Sequence, residues 1–368
     1  MEKTGENEYR LGELTFEITR KCPLGCLICS SDGGVPYPTE FHTERIKAII
    51  DESVRLGTRR IVLSGGEPLA HIGVIEICNF IKDRGLEVDV YTCGNQRDPN
   101  GQIVPIDDET LLRLKRAAIG RLIFSIHGDR PEIHDQITNR KGSYANLLRS
   151  ISLSKEIGLN AELHFVPTRL NYRTLSNIMK LKVEIGINRL SVLRFVPQGR
   201  GWQNRAILEL DKNAIIELRA IMHRIRSDCS SFEFRVGAPF NCFNLDGPTP
   251  CTAGIDKATI RADGLVYPCV SMKNLPYENN GNDLGNLSLP EVWARSEIFA
   301  YVRERLSTAF VNGTCSGCEH LSDCGGGCLS QKLISGLAEA TDPYCPVKLQ
   351  DHIECSAFRR SSHAIPVR

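Results

Sequence analysis

Between residues 13 and 200, short apolar runs alternate with amphipathic stretches. The runs are LTFEIT (14–19), RIVLSG (60–65), EVDVYT (87–92), RLIFSIHG (121–128), NAELHFVPT (160–168) and RLSVLRFV (189–196). Between them lie helical patterns such as TERIKAIIDESVRLG and SYANLLRSISLSKEIG, several closed by a glycine, a common helix stop. Thr43 followed by Ile46, Ile49 and Ile50 reads as an N-capped amphipathic start. Strand–helix repetition at this spacing means βαβ units and a parallel sheet. Six units predict an α/β fold, either an open sheet or a partial (β/α)6 TIM-like barrel. In both, function sits at the C-terminal ends of the strands.

Residues 205–227 read as one more helix. After Cys229 the helical periodicity fades, and glycine, proline, asparagine and cysteine become frequent. A boundary is therefore expected near 229–240, giving an extension (1–12), a core domain (13–228), a cysteine-rich domain (229–355) and a loose tail (356–368). The third of these has little apolar surface for a core of its own, so metal ligation is expected to stabilise it.

The 15 cysteines are the compositional anomaly, and nine of them lie between Cys242 and Cys355. The polar N-terminus carries no signal-peptide pattern, and no apolar run reaches the roughly 20 residues of a membrane span. A cytoplasmic protein without a membrane partner is expected. In that compartment clustered cysteines point to metal rather than disulfides. The net charge of +1 gives no case for nucleic acid. Cys78, Cys93 and Cys229 stand alone and read as small buried hydrophobes.

KCPLGCLIC directly follows the first strand and sets Cys22, Cys26 and Cys29 in a C-x3-C-x2-C loop. Thiolates select zinc or iron–sulfur clusters. A structural zinc would need a fourth ligand, and His42 is the candidate nearby. A [4Fe–4S] cluster held by three cysteines, one iron left open for substrate, fits the trio better. At the end of the second strand stands SGGEP, where Gly65 and Gly66 allow close backbone approach and Glu67 offers an anionic group.

The two motifs at successive strand ends resemble the radical S-adenosylmethionine (SAM) superfamily. The resemblance implies that the methionine amine and carboxylate of SAM chelate the open iron, and that Gly65, Gly66, Glu67 and Pro68 line the amine. Reductive cleavage of SAM would then give a 5′-deoxyadenosyl radical that abstracts hydrogen from a C–H bond. It also implies cofactor contacts for Thr92 in YTCGN, Ser125 in SIHG, Asn171 after the fifth strand and Arg194 on the sixth. Cys93 and His127 depart from the commoner asparagine and aspartate at their positions. No catalytic base is assigned.

The later cysteines read Cys251, twelve residues, Gly264, four residues, Cys269, then C-x2-C-x5-C-x3-C (Cys315, Cys318, Cys324, Cys328), then Cys345. This pattern is similar to the SPASM domain that follows the radical barrel in one branch of the superfamily. It implies two auxiliary [4Fe–4S] clusters, one on Cys251, Cys269, Cys328 and the upstream Cys242, the other on Cys315, Cys318, Cys324 and Cys345. Cys355 is left over. C-x2-C pairs also mark structural zinc, so a non-catalytic zinc scaffold stands as the alternative.

SPASM relatives often modify peptides, and oxidative modification of a ribosomally made peptide or protein is the leading expectation. Dehydrogenation or rearrangement of a small metabolite is the second. Because the first strand begins near residue 13, no N-terminal leader-binding domain is expected. Val270 stands where sulfatase maturases place an aspartate, which argues against that activity. The resemblance also implies an electron donor such as flavodoxin or ferredoxin.

Overall fold

The computed structural model describes residues 9–35, 40–230, 232–245, 247, 249–275, 281–306, 315–334 and 341–349. Its strands are β1 Glu13–Thr19, β2 Arg60–Gly65, β3 Glu87–Thr92, β4 Gln96–Arg97, β5 Ile103–Val104, β6 Arg121–Ile126, β7 Ala161–Phe165, β8 Leu190–Val192, β9 Phe234–Val236, β10 Lys257–Ile260 and β11 Val266–Tyr267. Nine form one sheet in the order β11-β10-β1-β2-β3-β6-β7-β8-β9, parallel except for the β10–β11 pair. The small β4–β5 pair stands apart.

Side chains alternate across these strands because the pleat has a period of two. Leu14, Phe16, Leu63, Val90, Leu122 and Phe124 point to one face and are fully buried. They share a core with Ile46, Ile49, Ile77, Ile81, Leu111, Leu114 and Leu147 from the helices that follow the strands. The opposite face is polar. There Tyr91 donates to His164 Nδ1 (2.8 Å) and His164 Nε2 donates to Glu162 (3.0 Å), the tautomer that a buried neutral imidazole takes. Ser191 (2.5 Å) and Arg121 (2.8 Å) donate to the same carboxylate. The polar floor is thereby saturated with hydrogen bonds, and its charges are paired.

All six expected strands are present, the last three shorter than their apolar runs. The helix Thr43–Arg55 is capped from His42, without a side-chain cap bond, so Thr43 is its first residue rather than its cap. The stretch 205–227 is broken into Arg205–Leu208 and Lys212–Asp228. Asp211 caps the second piece by accepting Ala214 N–H at 2.9 Å.

The larger departure lies beyond residue 229. Strands β9, β10 and β11 join the main sheet, and the helices Leu289–Arg295 and Glu297–Leu306 bury Trp293, Val292, Phe299 and Val302 completely. That segment therefore contributes apolar core as well as cysteines. No helix among the described residues is long and apolar enough to cross a membrane.

Candidate iron–sulfur and cofactor site

The trio loop leaves the C-terminal end of β1 and is braced along its length. Gly25 and Leu27 N–H donate to Thr138 and Ile137 carbonyls (3.1 and 2.8 Å) at the end of the helix Pro131–Thr138. From the other side Arg200 Nε donates to Cys26 O (3.0 Å) and Gly201 N–H to Cys29 O (3.2 Å). Cys22, Cys26 and Cys29 lie near enough to influence one another's ionisation. Burial pushes the Cys26 thiol well up, the neighbouring Cys22 and Cys29 charges add to it, and Arg200 opposes them. Cys22 is drawn down, chiefly by a hydrogen bond from the Cys93 thiol.

The SGGEP turn lies directly on this loop. Gly66 N–H donates to Thr19 O and Glu67 N–H to Lys21 O, both at 2.7 Å. Gly65 has φ +131°, and a Cβ there would stand 2.3 Å from Thr19 O. A Cβ on Gly66 would stand 2.3 Å from Lys21 O. Two consecutive glycines are thus required for the contact.

Glu67 is 1% exposed. Its carboxylate accepts from Leu69 N–H (3.2 Å) and Cys93 N–H (2.7 Å) and has no ion pair among the described residues. Burial raises its pKa, and bonds from Cys93, Leu69 and Thr92 oppose the rise. A buried carboxylate held by amides and lacking a cation is complementary to an ammonium group. A cavity of about 1210 Å³ touches Cys22, Glu67, Leu69, Gln96 and Arg97. Three neighbouring thiols on one loop and a buried carboxylate without an ion pair among the described residues are donor types that fit an iron–sulfur cluster beside an amine-bearing ligand.

The remaining expected residues divide. Thr92 is buried beside Glu67 and accepts from Gly94 N–H (3.0 Å). Ser125 is half-buried on the polar face, at the end of β6. Asn171 spends its amide on the backbone: it accepts from Thr168 N–H (2.6 Å) and donates to His127 O (3.0 Å) and Val166 O (3.1 Å). Arg194 faces the cysteine-rich segment. Its guanidinium is taken up by Asp342 in two bonds (2.7 and 2.6 Å) and lies 3.7 Å from the Tyr344 ring centre. Both residues are thus engaged with the protein, at places where a cofactor contact was expected.

The later cysteines assemble in two neighbourhoods. Cys251 feels the charges of Cys269 and Cys328. Cys315 has Cys345 and Cys318 beside it, and Cys324 has Cys345 and Cys315. Cys242, expected beside Cys251, Cys269 and Cys328, is buried and feels the charges of Cys324 and Cys345. Its short helix Ala238–Phe243 packs on Leu321–Cys324, and Phe243 stacks on Tyr344 next to Cys345. Cys355 lies outside the described residues.

Residues 16–181 match the Radical SAM superfamily, and residues 251–319 match SPASM, an iron–sulfur cluster-binding domain. The mycofactocin maturase MftC of Mycolicibacterium smegmatis is 30% identical over 342 residues, 90% of this chain and 82% of that one. The chain belongs to the radical SAM superfamily.

Other relatives of this radical SAM enzyme match over nearly their full length. An AdoMet-dependent heme synthase of Nitratidesulfovibrio vulgaris is 26% identical over 362 residues, 93% of this chain and 94% of that protein. A PqqA peptide cyclase of Ruegeria pomeroyi is 27% identical over 359 residues, 95% and 90%. Streptococcus suis SuiB, solved with S-adenosylmethionine and with the precursor peptide SuiA, shares the fold. For the first of these structures the TM-score is 0.73 at 16% identity, over 92% of this chain and 77% of that one. The enzyme uses [4Fe–4S] clusters and SAM, and the non-catalytic scaffold is set aside.

Sequence reasoning missed Asp342, which also accepts Cys328 N–H (2.7 Å) and Tyr344 N–H (2.8 Å). It missed Lys273 and Glu17, which meet beside the trio loop. Asp342 meets Arg194 across 148 residues and Lys273 meets Glu17 across 256, so no local spacing marks these ion pairs.

Proposed function

We propose that this enzyme oxidatively modifies a ribosomally made peptide or protein. Cys22, Cys26 and Cys29 hold the SAM-binding cluster, and Glu67 receives the amine of SAM. Cys251, Cys269 and Cys328 hold one auxiliary cluster, and Cys315, Cys318, Cys324 and Cys345 the other. When bound, the first cluster and SAM supply a carbon-centred radical able to take hydrogen from an unactivated C–H bond. The chain's own contribution is positional: the glycine turn seats the ligand, Thr92 and the Cys93 amide fix the Glu67 carboxylate, and the helices keep water from the apolar face.

The observation that carries the peptide reading is the near full-length similarity to a PqqA peptide cyclase. Equal similarity to haem synthases favours a second reading, radical chemistry on a small metabolite of tetrapyrrole type. We place the enzyme in the cytoplasm, with flavodoxin or ferredoxin as electron donor.

The test is anaerobic turnover with SAM and dithionite on perdeuterated candidates: short peptides encoded beside the gene, and propionate-bearing porphyrins. Deuterium transfer into 5′-deoxyadenosine, with the peptide losing two hydrogens, is expected. Transfer only from a porphyrin would overturn the peptide reading.

A further inference from the structure

Lys273 lies four residues after Cys269, on the far side of the short helix Val270–Met272. Its side chain is 3% exposed. An ammonium group so buried must be fully partnered, and all its partners belong to β1 and the trio loop. It pairs with Glu17 on β1. It donates to Ser30 Oγ (3.2 Å) and Ser31 Oγ (2.7 Å), the two residues after Cys29. Ser31 Oγ in turn donates to Glu17 Oε1 at 2.7 Å.

The Lys273 end is fixed as well. Arg261 donates to Lys273 O (2.7 Å), and Gln198 ties the same stretch by donating to Val270 O (3.1 Å) and accepting from Asn274 N–H (3.2 Å). A second, weaker tie runs from Arg20 to Asp263 (3.4 Å). The loop's other braces act on the backbone at Gly25, Cys26, Leu27 and Cys29. Beyond Cys29, Ser31 reaches Glu17 directly and Gly34 N–H donates to Arg20 O (2.6 Å), and the Lys273 ammonium binds Ser30, Ser31 and Glu17 at one point.

We propose that Lys273 is a positioning residue for the SAM-binding site. By holding Ser30, Ser31 and Glu17 together it sets where the Cys29 end of the loop stands, and so makes SAM binding depend on the docked C-terminal segment. The inference rests on the reading that Cys22, Cys26 and Cys29 hold that cluster. Outer-shell partners of metal ligands characteristically change affinity by about 10- to 100-fold when removed.

The test uses the full-length reconstituted holoenzyme in four forms: wild type, Lys273→Met, Glu17→Gln and the double variant. SAM is titrated into the dithionite-reduced protein while the cluster's electron paramagnetic resonance signal is followed, and melting is recorded in parallel. Lys273→Met leaves Glu17 buried and unpaired, so it lowers both melting temperature and affinity. The double variant removes the stranded charge and regains melting temperature, yet its SAM dissociation constant stays roughly tenfold or more above wild type, because the two serines have lost their ammonium. Recovery of SAM affinity in the double variant would show that Lys273 only neutralises Glu17, and would overturn the proposal. Wild-type affinity in Lys273→Met would overturn it too. A wild-type spectrum indifferent to SAM would remove the trio assignment and this inference with it, a result distinguishable from the other two.

Discussion

The Arg194–Asp342 pair offers the sharpest stability test, because its two partners are not equivalent. Both side chains are sealed from water, at 0% and 2% exposure, and two bonds of 2.7 and 2.6 Å join them. Breaking such a pair from one side strands a buried charge and costs about 3–5 kcal/mol. Arg194→Met strands Asp342, which still accepts from Cys328 and Tyr344 N–H. Asp342→Ala strands Arg194 and also orphans those two amides, each worth about 1–3 kcal/mol. The aspartate variant should therefore be the worse by ~2 kcal/mol or more, and the double variant Arg194→Met with Asp342→Asn should recover part of the loss, since both charges are gone. Urea unfolding followed by circular dichroism gives the ranking. Iron analysis gives the location: the amides belong to Cys328 and to the neighbour of Cys345, so iron should fall below the roughly twelve atoms of three clusters while SAM still binds. An Asp342→Ala protein no less stable than Arg194→Met, with full iron, would refute the reasoning.

Glu67→Gln keeps the shape and removes the charge meant for an ammonium. Its SAM affinity should fall about 10- to 100-fold, the worth of one charge-assisted bond, as read by equilibrium binding, with iron content unchanged. Cys26→Ala should abolish SAM cleavage in chromatographic assays of 5′-deoxyadenosine, and full cleavage would remove Cys26 from the ligand set. On the polar floor, burial tends to raise the Glu162 carboxyl, but His164, Ser191 and Arg121 outweigh it and hold the group down at about 2. The unfolded chain takes up this proton first, near 4.5, so stability present above that pH is lost as pH falls toward 2. His164, lowered by burial, acts in the same direction below 6.5. Glu162→Gln should flatten the acid limb of a stability–pH curve for the apoprotein, and an unchanged limb would exclude the network as its source.

The sequence exposes what is local. Six apolar runs of period two mark six strands, and SGGEP marks a turn whose two glycines the structure requires, because a Cβ on either would press on the trio loop's backbone. What stays hidden is either too short or too distant. Strands β9, β10 and β11 have three, four and two residues, too few for an alternation to register. Trp293 and Phe299 fill a core inside a segment whose glycines and cysteines masked it. Arg194 reads as a group at a strand's end, but its partner is 148 residues further on. Phe243 stacks on Tyr344, a contact that cysteine spacing does not encode.

The pairing of β1 with β10 has a consequence during synthesis. Glu13 finds its partner only when Lys257 has been made. At ordinary elongation rates that interval is roughly 10 to 50 s. Through it, one edge of the strand leading into the trio loop offers bare amides and carbonyls to any other nascent chain. A chaperone that shields the N-terminal strand would cover that edge through the interval, whereas slow translation of the middle of the message would prolong the exposure, and iron loading is best timed after the ribosome has passed the tenth strand.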